Sequence, residues 1–253
     1  MNITENQIEE IKELEHNIHL FKVKSPEIAN NINPGEFLNI RISELAIPLL
    51  RRPFSVCDVE NDSFYFMFNT MGAGTKLLAL KKPGEFIDVL GPLGNGFNIE
   101  DDFDRAIIIG GGLGAAPFPF LTRLLKDKKE IITLIGGRTK KDVITYGLEN
   151  ISVATDDGSL GFKGNVVELL GKKLDETGNV KSKIFACGPT PMLKALKILT
   201  EQKNIECEIS TECAMACGFG ICQGCPIQSA ADEDKFLLVC KDGPVFNSKE
   251  VIL

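Results

Sequence analysis

The stretch CAMACGFGICQGC, residues 213–225, gathers four of the chain's eight cysteines. Thiols held this close together bind metal or carry out redox chemistry. The spacing Cys217-x4-Cys222-x2-Cys225, followed by fourteen residues and Cys240, is that of three thiolates from one loop and a distant fourth around a [2Fe–2S] cluster. Gly218, Gly220 and Gly224 suit such a loop, because glycine takes positive φ freely and lets backbone N–H groups approach the sulfurs. Structural zinc draws instead on two paired C-x2–4-C knuckles, and here only Cys222 and Cys225 form such a pair. Zinc and unligated thiols stay open as alternatives. Cys213 and Cys217 compete for the first position. Cys217 opens the spacing and precedes Gly218, so Cys217, Cys222, Cys225 and Cys240 are the expected ligands and Cys213 a small apolar filler.

A second constellation follows the apolar run AIII (106–109). Gly110, Gly112 and Ala115 fit the loose G-x-G-x-x-G/A pattern that places a dinucleotide pyrophosphate at a helix N-terminus. A glycine turn that only packs a helix on a strand reads the same way. The acid expected about twenty residues on is absent, because that place reads Leu134-Ile135-Gly136-Gly137-Arg138. Any nicotinamide dinucleotide is therefore bound differently from the usual dehydrogenase manner, and NAD and NADP both stay open, since Arg138 is able in principle to meet a 2′-phosphate.

Other chemistry-bearing residues have plainer readings. His16 and His19 lie three apart without a nearby acid or cysteine pattern, which makes a metal clip the weaker reading. Asp156-Asp157-Gly158 reads as a loop at the C-terminal end of a strand rather than a catalytic carboxylate pair.

The elements that must position these groups fall into three sections. Up to about residue 100, short apolar stretches separated by turns, His19 to Val23, PGEFLNIRI (34–42), PFSVCDV (53–59), FYFMF (64–68) and PGEFIDVLG (83–91), predict a small antiparallel barrel. Ile8, Ile11 and Leu14 have helical spacing, and this segment is ambiguous between helix and strand. From about 104 to 209, strands at AIII, IITLI (131–135), ISVAT (151–155) and KIFAC (183–187) alternate with helical stretches, which predicts a parallel, doubly wound sheet. Thr190 is the expected cap of the helix PMLKALKILTEQ, and IECEIS its closing strand. Residues 210–253 hold five cysteines and are too few for an ordinary core, so a bound metal centre is expected to supply part of their stability.

Composition narrows the class further. The chain has 253 residues, 43% of them hydrophobic, and a net charge of −7. Without basic clusters longer than pairs such as Lys128-Lys129, a nucleic-acid or anionic-membrane surface is not expected. The opening MNITENQIEEIKELE is polar and acidic, and no apolar run approaches the roughly 18 residues that span a bilayer. A cytoplasmic protein is expected, and in that compartment clustered cysteines bind metal rather than form disulfides.

With these residues in hand, the chain resembles the ferredoxin reductase superfamily and, within it, the electron-transfer subunits of type B dihydroorotate dehydrogenases. The resemblance runs in order through RRPFSV (51–56), MGAGTKLL (71–78), GPLGNGF (91–97), GGGLGAAP (110–117), TDDGSLGFKG (155–164), CGPTPML (187–193), CGFGICQGC and CKDGPVF (240–246). It implies a β barrel plus α/β fold: a FAD-binding antiparallel barrel over 1–102, an NAD-binding parallel-sheet domain over 103–209, and a [2Fe–2S] domain over 210–253. Arg52, Pro53, Phe54 and Ser55 fall on the R-x-[YF]-S flavin motif, with Arg52 implied at the pyrophosphate, Phe54 at the isoalloxazine and Ser55 at the N5 edge. Phe54 stands where many members have Tyr. Gly74 and Thr75 open a short helix implied to hold the FAD pyrophosphate. Gly111, Gly112, Gly114 and Cys187-Gly188-Pro189 are implied to line the NAD site. An ordinary strand at RRPFSV and a plain buried cysteine at 187 are the bland alternatives.

The resemblance implies an oxidoreductase subunit without its own substrate site. In that family dihydroorotate is oxidised at FMN on a separate catalytic subunit during pyrimidine biosynthesis, and electrons pass through the [2Fe–2S] cluster and FAD to NAD+. The implied assembly is a heterotetramer of two copies of each chain. A NAD(P)H:ferredoxin oxidoreductase or hydrogenase-associated diaphorase subunit shares the same modules. A zinc-bound interaction module is the alternative of a different class.

Overall fold

The computed structural model describes every residue except 15–16, 44–47, 177 and 179. His16, half of the histidine pair weighed above, lies outside the described residues.

In chain order the first section forms β1 (Asn2–Leu14), β2 (Ile18–Lys24), the single turn α1 (Pro26–Ala29), β3 (Phe37–Arg41), β4 (Arg52–Glu60), β5 (Ser63–Asn69), the short helix α2 (Ala73–Leu78) and β6 (Phe86–Leu93). The six strands close into a barrel in the order β1-β2-β5-β4-β3-β6, with antiparallel neighbours. The ambiguous first segment is a strand. Its register on β2 shifts between Ile8 and Glu10, and such a bulge reverses the alternation of faces. Ile8 and Ile11, three apart, therefore both pack on the barrel interior, and the bulge mimics a helical period.

FYFMF lacks polar alternation because both of its faces are covered. Phe64, Phe66 and Phe68 fill the barrel, while Tyr65 and Met67 pack outward on Ala115, Ala116 and Ile135 of the next section. Arg123 ties the two sections from the side, its Nε 2.9 Å from Asp58 Oδ1.

That section contains β7 (Arg105–Gly111), a 3-10 turn (Gly112–Ala115), α3 (Phe118–Leu125), β8 (Glu130–Gly137), β9 (Ile151–Thr155), β10 (Phe162–Lys163), α4 (Val166–Glu176), β11 (Ser182–Cys187), α5 (Thr190–Lys203) and β12 (Glu206–Ser210). Its strands are mutually parallel in the order β10-β9-β8-β7-β11-β12. Two expectations need correction. Pro189, in an extended conformation, occupies the cap of α5, and Thr190 is its first helical residue with no side-chain cap bond. IECEIS does not close the sheet either.

The last section adds β13 (Pro226–Ser229), β14 (Phe236–Leu238), β15 (Val245–Asn247) and β16 (Val251–Ile252). β15 crosses over to pair antiparallel with β12 as the seventh strand of the main sheet, leaving β14-β13-β16 as a small sheet of its own. Leu238, Val239, Phe246 and Val251 accordingly join the same apolar cluster as Ile107, Ile184 and Leu196. The short section thus shares its neighbour's core, in addition to whatever a metal centre contributes. GPLGNGF and CKDGPVF meet here, with Asn95 Nδ2 donating to the carbonyl of Asp242 at 2.9 Å.

Lys183 fastens the connection between barrel and sheet. Its ammonium, 1% exposed, donates to Asn98 O and Glu208 Oε1, both at 2.9 Å, and to Asp101. The carboxylates Asp101, Glu206 and Glu208 converge on that one cation.

Candidate functional site

The cysteine loop is folded by two residues the sequence marked and one it did not. Gly218 and Gly220 adopt φ of +83° and +88°, but the third positive φ, +58°, belongs to Gln223 rather than Gly224. At Gly224 an added Cβ would make only an ordinary contact, 3.4 Å from Cys222 Sγ, so neither space nor φ demands glycine there. Cys225 and Cys240 are buried with their sulfurs 3.1 Å apart, Cys217 is half-buried, and Cys222 is exposed. Backbone N–H groups point at the sulfurs: Gly220 at Cys240 Sγ (3.1 Å), Cys222 at Cys217 Sγ (3.4 Å) and Cys240 at Cys225 Sγ (3.5 Å). Burial pushes the Cys217 thiol up, but N–H groups from Cys222, Phe219 and Ile221 outweigh it and lower its pKa to about 6. Cys240 is raised to about 12 by burial and by neighbouring Cys225. Sulfur donors supported by backbone N–H groups fit a thiolate-ligated iron–sulfur cluster. Cys213 packs half-buried against the core that holds Cys225, and burial raises its thiol to about 11.

This loop leans on the barrel through Asn39 of β3, a residue the sequence reading passed over. Asn39 is 1% exposed, and its Nδ2 donates to Cys217 O at 3.1 Å. A Cβ at Gly218 would stand 2.5 Å from the same Nδ2. Glycine is needed there for space as well as for φ. The only signal was a polar residue in the otherwise apolar run FLNI, where every position is buried. Asn39 faces Pro53 in the β3–β4 register, one residue from Phe54.

Above that register lies a cavity of about 350 Å3. Arg52, Pro53, Phe54 and Ser55 of β4 form one wall, and Gly74 and Thr75 another. Arg52 Nη1 donates to Leu50 O at 2.8 Å, which holds the guanidinium over α2. A Cβ at Gly74 would lie 3.2 Å from Arg52 Nε, so the glycine gives the cation its place. Thr75 Oγ1 accepts the N–H groups of Met71 (2.9 Å) and Gly72 (3.2 Å), which shapes the turn before α2. The Phe54 ring packs 5.2 Å from Phe66 and also lines the cavity. An apolar floor, a fixed guanidinium and a glycine-lined turn fit a flavin dinucleotide.

The opposite wall comes from the sheet and the last section: Leu113, Ala116, Cys187, Ser210 to Cys213 and Met215. Gly112 alone of the glycine turn needs positive φ, +57°. Gly114 is required by close approach, as a Cβ would lie 2.4 Å from Cys187 O. At Gly111 it would meet Met192 and Pro189, each at 2.8 Å. The glycine turn and Cys187-Gly188-Pro189 are thereby pressed together at the C-terminal ends of β7 and β11, where open sheets bind ligands. The expected helix does not start at the turn itself: the 3-10 turn and Pro117 come first. Cys187 is both buried and cavity-lining, its thiol raised to about 12 by burial, with the charge of Glu212 adding. Glu212 is the second residue that sequence reasoning missed. Arg138, largely exposed, pairs with Asp142 at 3.4 Å. Asp157 Oδ1 accepts the Ser159 N–H at 2.9 Å, shaping the loop after β9.

Comparison with known proteins agrees with this geometry. Residues 212–252 match the family model of the iron–sulfur cluster binding domain of dihydroorotate dehydrogenase B. The chain is 38% identical to a dihydroorotate dehydrogenase B (NAD(+)) electron transfer subunit from Bacillus velezensis, covering 95% of each chain. It is also 38% identical to a Geobacillus subunit of the same name, over 87% of each. Among solved structures, an NADH-dependent reduced ferredoxin-NADP oxidoreductase superposes with a TM-score of 0.85 at 29% identity, covering 98% of this chain and 89% of that one. The ferredoxin reductase of a carbazole 1,9a-dioxygenase shares the fold, with a TM-score of 0.68 at 23% identity over 81% of this chain and 66% of that one. With relatives this similar over nearly its whole length, the chain belongs to the family of dihydroorotate dehydrogenase B (NAD(+)) electron transfer subunits.

Proposed function

We propose that this chain is an electron-transfer subunit that passes electrons from the FMN-containing catalytic subunit of dihydroorotate dehydrogenase, through a [2Fe–2S] cluster and FAD, to NAD+. The observation that carries the reading is the single cavity whose walls come from the flavin strand β4, from Cys187 beside the glycine turn, and from residues 210–215 leading into the cysteine loop. That these three segments, assigned here to FAD, to NAD+ and to the approach to the cluster, border one cavity supports the reading. A flavin takes or gives a hydride with nicotinamide and passes single electrons to an iron–sulfur centre, which is the chemistry FAD supplies between the two.

Arg52 binds the FAD pyrophosphate, Pro53 and Phe54 pack on the ring system, and Ser55 presents its hydroxyl to the N5 edge. Gly74 and Thr75 bring backbone N–H groups to the phosphates. Gly111, Gly112 and Gly114 with Cys187, Gly188 and Pro189 receive NAD+ at the strand ends. Cys217, Cys222, Cys225 and Cys240 hold the cluster, and Asn39 sets the distance between that loop and the barrel. The three working sections are 1–102, 103–209 and 210–253. In this reading two copies of this chain join two of the catalytic subunit in the cytoplasm.

A second reading, transfer to a ferredoxin-type acceptor, is favoured by the likeness to the reduced ferredoxin-NADP oxidoreductase. Reconstitution decides between them. Dihydroorotate-dependent NAD+ reduction on adding the catalytic subunit supports the first. Its absence, with NAD(P)H-dependent ferredoxin reduction instead, supports the second.

A further inference from the structure

The stretch from Cys213 to Cys225 contains no charged side chain, so any charge that acts on the cysteine loop must come from outside it. Lys241 brings one. It follows Cys240 directly, and its backbone is fixed on both sides: its N–H donates to Leu238 O at 2.9 Å, and its carbonyl accepts from Asn95 Nδ2 at 3.2 Å. From that root the side chain runs along Gly220, whose own N–H donates to Cys240 Sγ at 3.1 Å. A Cβ at Gly220 would meet Lys241 Cδ at 3.0 Å, Cβ at 3.4 Å and Cγ at 3.6 Å. The stem is thus seated against the cysteine loop as far as Cδ, and only Cε separates the seated part from the ammonium. The other charges nearby have other places. Glu212 lines the flavin cavity, Asp242 Oδ2 accepts the Leu238 N–H at 2.7 Å, and Arg51, which donates to Asn39 O, is paired with Asp88 at 2.8 Å. Among the described residues, the Lys241 ammonium has neither an ion-pair nor a hydrogen-bond partner.

A thiolate-ligated iron–sulfur cluster is an anion whose negative charge grows by one when it takes up an electron, and its potential follows the charges placed around it. A cation held beside it therefore stabilises the reduced form more than the oxidised one. We propose that Lys241 sets the potential of the cluster: seated along Gly220 and next to Cys240, its ammonium raises the midpoint potential and makes the cluster a better acceptor of electrons from the catalytic subunit. This deepens the reading above and rests on Cys217, Cys222, Cys225 and Cys240 holding the cluster.

The test is a potentiometric titration of the FAD- and cluster-loaded full-length chain, with the reduced cluster followed by electron paramagnetic resonance. Lys241→Gln keeps a carbon at each seated position and removes the charge, so its midpoint should fall below that of wild type with iron and flavin content unchanged. Lys241→Glu reverses the charge, and its shift should be about twice as large, because the local charge then changes by two units instead of one. Lys241→Arg, which keeps the charge, should stay close to wild type. Raising the ionic strength should shrink the differences, because the side chain is exposed. Midpoints equal within error in wild type, Lys241→Gln and Lys241→Glu would overturn the assignment. So would a Lys241→Arg shift equal to that of Lys241→Gln, or loss of the cluster from Lys241→Gln, since either would make packing and not charge the role of the residue. A wild-type chain that takes up no iron would instead overturn the reading of the cysteine loop itself, and this inference with it.

Discussion

Asn39 and Cys217, 178 positions apart in sequence, are joined by a hydrogen bond of 3.1 Å from Asn39 Nδ2 to the Cys217 carbonyl. This contact links the barrel strand beside the flavin motif to the loop that carries the thiols. Replacing Asn39 with Ala leaves a carbonyl without its donor in a part-buried setting, at a cost of about 1–3 kcal/mol. The cluster loop should loosen while the barrel stays intact. Cluster bleaching in air should be several-fold faster than in wild type with FAD content unchanged; equal bleaching rates would show that the contact does not hold the loop.

Arg52→Ala removes the guanidinium held over Gly74. A charge-assisted contact to a phosphate is worth roughly 1.5–3 kcal/mol, so flavin retention should drop at least about tenfold. Flavin content after gel filtration, read from the absorbance spectrum, checks this. Full retention would remove Arg52 from the site.

The cysteine assignment separates two neighbours on one loop. Cys213→Ala should keep about two irons per chain, because Cys213 packs with the core instead of receiving N–H groups. Cys217→Ala should lose the cluster and destabilise residues 210–253, since metal binding contributes to their folding. Iron analysis and limited proteolysis read the two outcomes. Cluster loss with Cys213→Ala and retention with Cys217→Ala would reverse the register.

Lys183→Ala leaves Glu208 and Asp101 facing each other without the cation that joins them. Removing one partner of a buried ionic network costs about 3–5 kcal/mol. The variant should show a clearly lower denaturant midpoint than wild type. A midpoint within experimental error would mean that the network contributes nothing to holding the 98–101 connection on the sheet.

Local signals were legible in the sequence wherever one element satisfied itself. The cysteine spacing, the glycine turn after β7 and the strand runs of the barrel each declared their place through residue type alone. Signals that depend on a distant partner were not. The bulge in β1 put Ile8 and Ile11 on one face and imitated a helix. β15, three residues long, is a strand of the main sheet only because β12 offers it an open edge. Asn39 looked like a stray polar residue until the cysteine loop folded back onto it. Glu212 gained meaning only from a cavity lined by residues far apart in sequence. Thr190 lost its cap to Pro189, whose extended backbone already sets the helix entry.

The most direct test of the central claim is anaerobic electron transfer in defined mixtures. The FAD- and cluster-loaded chain alone should reduce an artificial dye with NADH and show no response to dihydroorotate. Adding the FMN-bearing catalytic subunit should then make dihydroorotate reduce NAD+, with the Cys217→Ala variant inactive in that coupled reaction while still reducing dye with NADH. Dihydroorotate oxidation by the isolated chain, or full coupled activity in a variant without its cluster, would contradict the account.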